Sequence, residues 1–280
     1  TKINLLSLWS SFLVFSMKQR FKKHKEPSHT KDVSTSWDPI ASDYHKIVQT
    51  KGHYYHREVI LPKLLPLLSL NANSSVLDIG CGQGILERAL PATCAYLGVD
   101  ISPKLIAIAK NICSTKSHRF LVHDAHQPLH SQEKFSHAAA ILSLQNMESP
   151  DKVIGNVAKQ LHSQGKFFIV LNHPCFRIPR ASSWHFIEEK KLMARHIERY
   201  LSPMKIPIVT HPGKKHSTST LSFHFPLSFW TQALSSHGFA IHNIEEWISP
   251  KASTGKRAKS ENLCRKEFPL FLMISSVKTN

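Results

Sequence analysis

Gly80-Cys81-Gly82-Gln83-Gly84, with the carboxylates of Asp78, Asp100 and Asp124, are the residues whose types and spacing carry chemistry. The glycine run follows a short apolar stretch, Val76-Leu77-Asp78-Ile79, and opens a short helix expected over Gly84 to Leu90. Glycines in that place allow a tight turn and close approach of the backbone to a bound cofactor. Dinucleotide-binding proteins use G-x-G-x-x-G in the same setting, but here Ile85 stands where the third glycine would be. Asp78 lies two residues before Gly80, where its charge would oppose a pyrophosphate. It suits a ligand that carries an amino group and a sulfonium.

Asp100 ends the next apolar stretch, twenty residues after Gly80. A carboxylate there can accept from both hydroxyls of a ribose. Asp124-Ala125 ends the third stretch, where a carboxylate could accept from the exocyclic amine of adenine. Open α/β sheets bind ligands in the crevice beyond the carboxyl ends of their strands. Three acids ending three successive parallel strands would all face that crevice.

The elements that must hold these residues follow from the hydrophobic pattern. Strands are expected at 76–79, 96–99, 119–123, 138–144 and 166–171, separated by helices at 84–90, 103–112 and 151–161. Ser102 as N-cap and Pro103 at the first helical position mark a good helix start. Two short helices are expected between Trp37 and Leu70. Strands alternating with helices imply a parallel sheet covered on both faces. After the fifth strand the pattern breaks over residues 172–225. There an Arg- and Pro-rich turn, a charged helix at 187–200 and a hairpin around His211-Pro212-Gly213-Lys214 are expected. A helix at 227–237, strands at 239–247 and 268–277, and a basic loop at 249–266 complete the reading. No internal repeat is visible.

These motifs resemble those of the class I S-adenosylmethionine (SAM)-dependent methyltransferases. Val76 to Gly84 looks like their first motif, Leu97-Gly98-Val99-Asp100-Ile101-Ser102 like the acidic ribose loop, and Asp124-Ala125 like the adenine position. Leu161-His162-Ser163-Gln164-Gly165-Lys166 occupies the family's L-x-P-G-G turn, with Ser163-Gln164 in place of Pro-Gly. The resemblance covers residues 37–280. It implies an α/β, Rossmann-like, seven-stranded and mostly parallel sheet with helices on both faces, an antiparallel C-terminal β-hairpin and an inserted cap after the fifth strand. It implies SAM as cofactor, held by Asp78, Gly80, Gly82, Gly84, Asp100, Ile101, Asp124, Ala125 and Gln145, and methyl transfer as the activity. It leaves the acceptor open.

The acceptor side is expected where Asn172-His173-Pro174-Cys175-Phe176-Arg177-Ile178-Pro179-Arg180 leaves the fifth strand. His173 is suited to act as a general base on a hydroxyl at neutral pH; the competing reading is a histidine bonded to backbone beside a rigid turn. Asn172, Arg177 and Arg180 are candidates for holding the acceptor, as are Tyr44 and Tyr55 from the N-terminal helices. The segment superficially resembles the N-P-P-Y motif of amino-methylating DNA enzymes. That motif follows the fourth strand, which ends here in Leu144-Gln145-Asn146 without prolines, so DNA is not expected as a partner.

Thirty-six Lys and Arg against nineteen Asp and Glu give a formal charge of +17, which invites polyanions. A small-molecule acceptor is the first expectation. An RNA methyltransferase (rRNA or tRNA) is the alternative, and a non-catalytic SAM-fold binding or scaffold protein the reading from another class. Five cysteines without a C-x-x-C pair argue against a disulfide framework and fit a reducing cytoplasm. None of the nineteen histidines shows a zinc-ligand spacing, so no metal is expected.

Residues 1–36 read as a hydrophobic then basic extension before a methyltransferase domain at 37–280, with a substrate lid at about 172–225. The apolar stretch Ile3 to Phe15 is too short to span a bilayer, which needs about 20 residues, and no stable membrane insertion is expected. The first methionine is Met17. Translation starting there would leave residues 1–16 outside the native protein; a cleaved or anchoring leader is the alternative.

Overall fold

The computed structural model describes residues 37–38, 41, 45, 48, 52–209 and 219–279. The expectations for the N-terminal extension, for Tyr44 and for the tip of the hairpin at 211–214 lie outside the described residues.

Seven strands form one sheet: β1 (Ser75–Ile79), β2 (Ala95–Asp100), β3 (His118–Val122), β4 (Phe135–Ile141), β5 (Leu161–Asn172), β10 (Phe239–Trp247) and β11 (Phe271–Lys278). Their order across the sheet is β10-β11-β5-β4-β1-β2-β3. β1 pairs in parallel with both β2 and β4, and β4 with β5. β11 pairs antiparallel with β5 and with β10, so it alone reverses direction. The expected mostly parallel sheet with an antiparallel C-terminal pair is what forms. The chain runs outward from β1 through β2 and β3, then crosses back to β4. This reversal creates the switch point at which such sheets bind ligands.

Strand alternation delivers two cores. Leu77, Ile79, Val99, Ala138, Phe167, Ile169 and Ile274 face one side, under α3 (Pro150–Gln160) and α4 (Leu227–Ser236). Val76, Tyr96, Ala139, Phe168, Val170 and Met273 face the other, under α1 (Leu61–Leu68) and α2 (Pro103–Ile112). Ser102 caps α2 as expected, its Oγ accepting the Leu105 N–H at 3.2 Å. Ahead of α1, His56–Ile60 forms a π-helical turn. Pro62 lacks the N–H that would bond the Glu58 carbonyl, and its ring crowds that carbonyl, so the wider turn relieves the conflict.

Three expectations are corrected. The helix at 84–90 is reduced to turns and a 3-10 segment, Glu87–Ala89. Leu90 precedes Pro91 and is held extended, with ψ 151°, which ends any helix there. The charged helix at 187–200 is instead a hairpin of β6 (Ser182–Ile187) and β7 (Leu192–Ile197). Its helix-forming residues are overridden by cross-strand contacts, with Arg195 lying 4.8 Å from the ring centroid of its partner Trp184. The basic loop at 249–266 contains α5 (Ala258–Glu267), which buries only Ser260 and Cys264 and so shows almost no apolar stripe. A second hairpin, β8 (Met204–Val209) with β9 (Ser219–His224), flanks the expected turn near 211–214.

Candidate active site

A cavity of about 440 Å³ opens beyond the carboxyl ends of β1 to β5. Its size falls within the roughly 300–1,000 Å³ typical of ligand pockets. On one wall lie Gly80 and Gly82 from the turn after β1, Asp100 and Ile101 after β2, Asp124 and Ala125 after β3, and Gln145 after β4. The lining also takes in Trp37, His53, Tyr55 and His56 from the N-terminal segment, and Asn172, Pro179, Ile208 and Ser222 from the end of β5 and the insertion.

The glycine turn is built against β2. The amides of Gly80 and Cys81 both donate to the Val99 carbonyl, at 2.8 and 3.0 Å. Gly82 then donates its N–H to Asp100 Oδ2 at 2.9 Å, and Ser102 donates to Oδ1 at 2.8 Å. Burial pushes the Asp100 carboxyl above its usual range, and these two amides oppose the shift. Each oxygen keeps a further lone pair that can accept from a ligand hydroxyl. Burial likewise raises Asp124, but the backbone N–H and ring of His126 outweigh it and hold this carboxylate below its usual range. Asp38 accepts from Ser102 Oγ at 2.8 Å and from the Lys104 N–H at 3.0 Å, which brings the neighbouring Trp37 to the cavity.

Several expected site residues lie away from the cavity. Asp78 is buried behind the turn and accepts from Tyr96 Oη at 2.8 Å. Gly84 (φ +78°) serves the fold, since a Cβ there would meet the Phe120 ring at 3.1 Å. His173 is 1% exposed; its Nε2 bonds Glu246 at 2.6 Å while Nδ1 accepts the Cys175 N–H at 3.2 Å. Both ring nitrogens are thus engaged in holding the turn after β5. Arg177 is set back from the cavity, 5.4 Å from the Trp184 ring centroid. Arg180 is exposed at φ +60° and is not on the cavity wall.

His53, His123 and His126 on the wall escaped the sequence reading, and His56 entered it only as part of the run Tyr54-Tyr55-His56-Arg57 that could close over the cofactor. His56 is 9% exposed, and its buried Nδ1 has no hydrogen-bond partner among the described residues. Burial first, and then the neighbouring His53, push its pKa down to about 4, so its ring is neutral at pH 7. His123 is spoken for by the Gln127 carbonyl at 3.1 Å and His126 by Asp124 at 2.8 Å. Neither histidine at 53 or 56 belongs to a motif; the one signal was their place in an aromatic, histidine-rich run.

Asp78 gives a pH prediction. Burial raises its pKa from 3.8 to about 7, against the lowering effect of the Tyr96 bond. The folded state therefore holds a proton that the unfolded chain releases at lower pH. This stabilising contribution is complete below about pH 4 and is lost as pH rises through about 7. Asp78→Asn, which keeps the shape without the charge, should raise the melting temperature at pH 8 more than at pH 4. An equal shift at both pH values would contradict the burial of an ionisable carboxyl.

The methyltransferase domain family matches residues 52–243, well over half of the chain. The chain belongs to this family. Among curated proteins, the chain is similar to a ubiquinone biosynthesis O-methyltransferase of Coxiella burnetii, 31% identical over 96 residues, or 33% of this chain. The chain spans 41% of that relative's length. A demethylmenaquinone methyltransferase of Tropheryma whipplei is 42% identical over 48 residues, covering 17% of this chain and 20% of the relative. Among solved structures, a SAM-dependent methyltransferase from Mesorhizobium loti shares the fold with a TM-score of 0.61 at 24% identity, over 77% of this chain and 96% of that one. Among the described residues, no helix is long and apolar enough to cross a membrane.

Proposed function

We propose that this chain moves the methyl group of SAM to a hydroxyl of a small-molecule acceptor. One observation carries the reading: the glycine turn, Asp100 and Asp124 share a single cavity with His56 and with Pro179, Ile208 and Ser222 of the insertion. One chamber thus joins residues suited to a nucleoside with residues of the insertion left for an acceptor. In this reading Asp100 takes the ribose hydroxyls, Gly82 admits the cofactor against the backbone, and Asp124 or its neighbours meet the adenine. SAM supplies an electrophilic methyl carbon on a sulfonium, and transfer leaves a neutral thioether.

The protein's part in the transfer is alignment within this cavity, together with removal of a proton. His56, rather than His173, is the base in this reading, because its neutral ring lines the cavity whereas both ring nitrogens of His173 are engaged. It takes the acceptor's hydroxyl proton as the oxygen–carbon bond forms. The relatives named for ubiquinone and menaquinone chemistry support a small acceptor. The aromatic and apolar side chains of Trp37, Tyr55, Ile208 and Phe271 suit one that is largely apolar. Five free cysteines support a reducing cytoplasm as the place of action.

The test is transfer of labelled methyl from SAM into cell extract, fractionated into RNA, protein, lipid and small molecules. Label in a small organic-soluble product supports the reading. Label in a defined RNA nucleoside would replace it with the RNA alternative, and SAM binding without any transfer would favour a scaffold.

A further inference from the structure

Three side chains from separate elements meet near the amino end of β3, opposite the end of the sheet that bears the cavity. They are Glu87 of the 3-10 turn, Cys113 at the end of α2 and His118 at the start of β3. One ligand atom from each lies within 4.8 Å of the others. His118 Nδ1 is 2.7 Å from Glu87 Oε1, and Cys113 Sγ is 3.2 Å from the same oxygen. The side chains of His118 and Glu87 are only 1% and 4% exposed.

Two details mark more than a buried ion pair. His118 Nε2 lies 3.0 Å from the Cys94 carbonyl, which can only accept, so Nε2 carries a proton. That leaves Nδ1 facing Glu87 Oε1, where a proton shared between the two holds the place a metal ion would take. Orientation of one imidazole nitrogen by a backbone carbonyl is the arrangement that sets the other for a metal. In addition, Glu87 Oε2 is buried with no hydrogen-bond partner, which is costly for a carboxylate.

We propose that Glu87, Cys113 and His118 bind a zinc ion. Thiolate, imidazole and carboxylate are all zinc ligands, and three protein donors leave the fourth tetrahedral position to water. On binding, the Cys113 S–H bond breaks, its proton goes to solvent and a Zn–S bond forms. The proton held between Nδ1 and Glu87 Oε1 likewise goes to solvent, and the imidazole and the carboxylate then contribute lone pairs to the ion. Cys113 is partly exposed, which gives the ion a route in. The ion would tie the turn after the cofactor glycines to α2 and β3. No sequence motif marks this site, because its ligands are spaced 26 and 5 residues apart.

The decisive measurement uses tag-free, chelator-stripped full-length protein titrated with zinc sulfate by calorimetry, and with cobalt(II) by absorption. One equivalent of zinc should bind, and cobalt should develop a thiolate charge-transfer band in the near ultraviolet. Cys113→Ser should abolish that band and weaken zinc binding at least about tenfold, while circular dichroism shows it folded. Glu87→Gln should weaken zinc binding as well. Absence of a thiolate band in the wild type, or unchanged zinc affinity in Cys113→Ser, would overturn the site and assign any bound zinc to other histidines. Both readouts are independent of methyl transfer.

Discussion

Gly82→Val is expected to abolish binding of SAM while the chain still folds. A Cβ built on Gly82 meets no protein atom within 4 Å, so a side chain there projects into the cavity and not into the core. The residue sits at φ +55°, a conformation that costs a non-glycine residue about 1–2 kcal/mol. Gly82→Ala is therefore the companion variant, with less backbone strain and a smaller intrusion on the cofactor. Asp100→Ala should weaken SAM binding by about 1.5–3 kcal/mol, the scale of hydrogen bonds to a charged group. In dissociation constant that is roughly 10- to 150-fold. Calorimetry is the measurement, and unchanged affinity in both variants would sink the assignment of this cavity to SAM. Tighter binding of NADH than of SAM would restore the dinucleotide alternative.

The second large effect concerns His56. Its replacement by glutamine should lower turnover about 10²- to 10⁴-fold, the usual contribution of a general base, with SAM affinity little changed. The pH profile carries the sharper test. The base must be neutral to act, and its pKa in the free protein is depressed to about 4. The rate should therefore stay level as pH falls from 8 to about 5, then drop through about 4. A limb near the ordinary histidine value of about 6.5 would point to another histidine. His173→Ala should behave differently. It removes the partner of the Cys175 amide and of Glu246, so thermal stability should fall by an amount toward the low end of about 1–3 kcal/mol, because Glu246 is itself half-exposed. Its turnover should change modestly. Full activity of His56→Gln with the acceptor saturating would show that alignment alone carries the reaction.

The strands and the helices at 103–112, 150–160 and 227–236 were readable because each carries a pattern set by its own residues. Buried parallel strands are short apolar runs, and the helix caps are local chemistry in Ser102 and the prolines that follow caps. The same reasoning placed the glycine turn and the acids ending β2 and β3. It failed where the deciding contact came from far along the chain. The 187–200 segment has helix-forming residues, yet Trp184 against Arg195 and the cross-strand register make it a hairpin. α5 turns a nearly wholly polar face to its surroundings, so no periodicity announced it.

What the sequence by itself determined is the alternation of strands and helices that implies a parallel sheet, and the strand-end residues Gly80, Gly82, Asp100 and Asp124 that line the cavity. These depend on residues within a few positions of strand ends and are written locally, whereas the order of the strands across the sheet is set by the tertiary structure. Only the tertiary structure decided which polar side chains face the cavity. Asp78 and His173 stand beside the right motifs, but their partners Tyr96 and Glu246 are 18 and 73 residues away and draw them out of it. His56 carries no motif and reaches the cavity because a π-helical turn before α1 and the packing of α1 on the sheet bring it there. Side-chain direction within a buried site is settled by such distant partners, because a buried polar group takes whichever hydrogen bond the assembled fold offers.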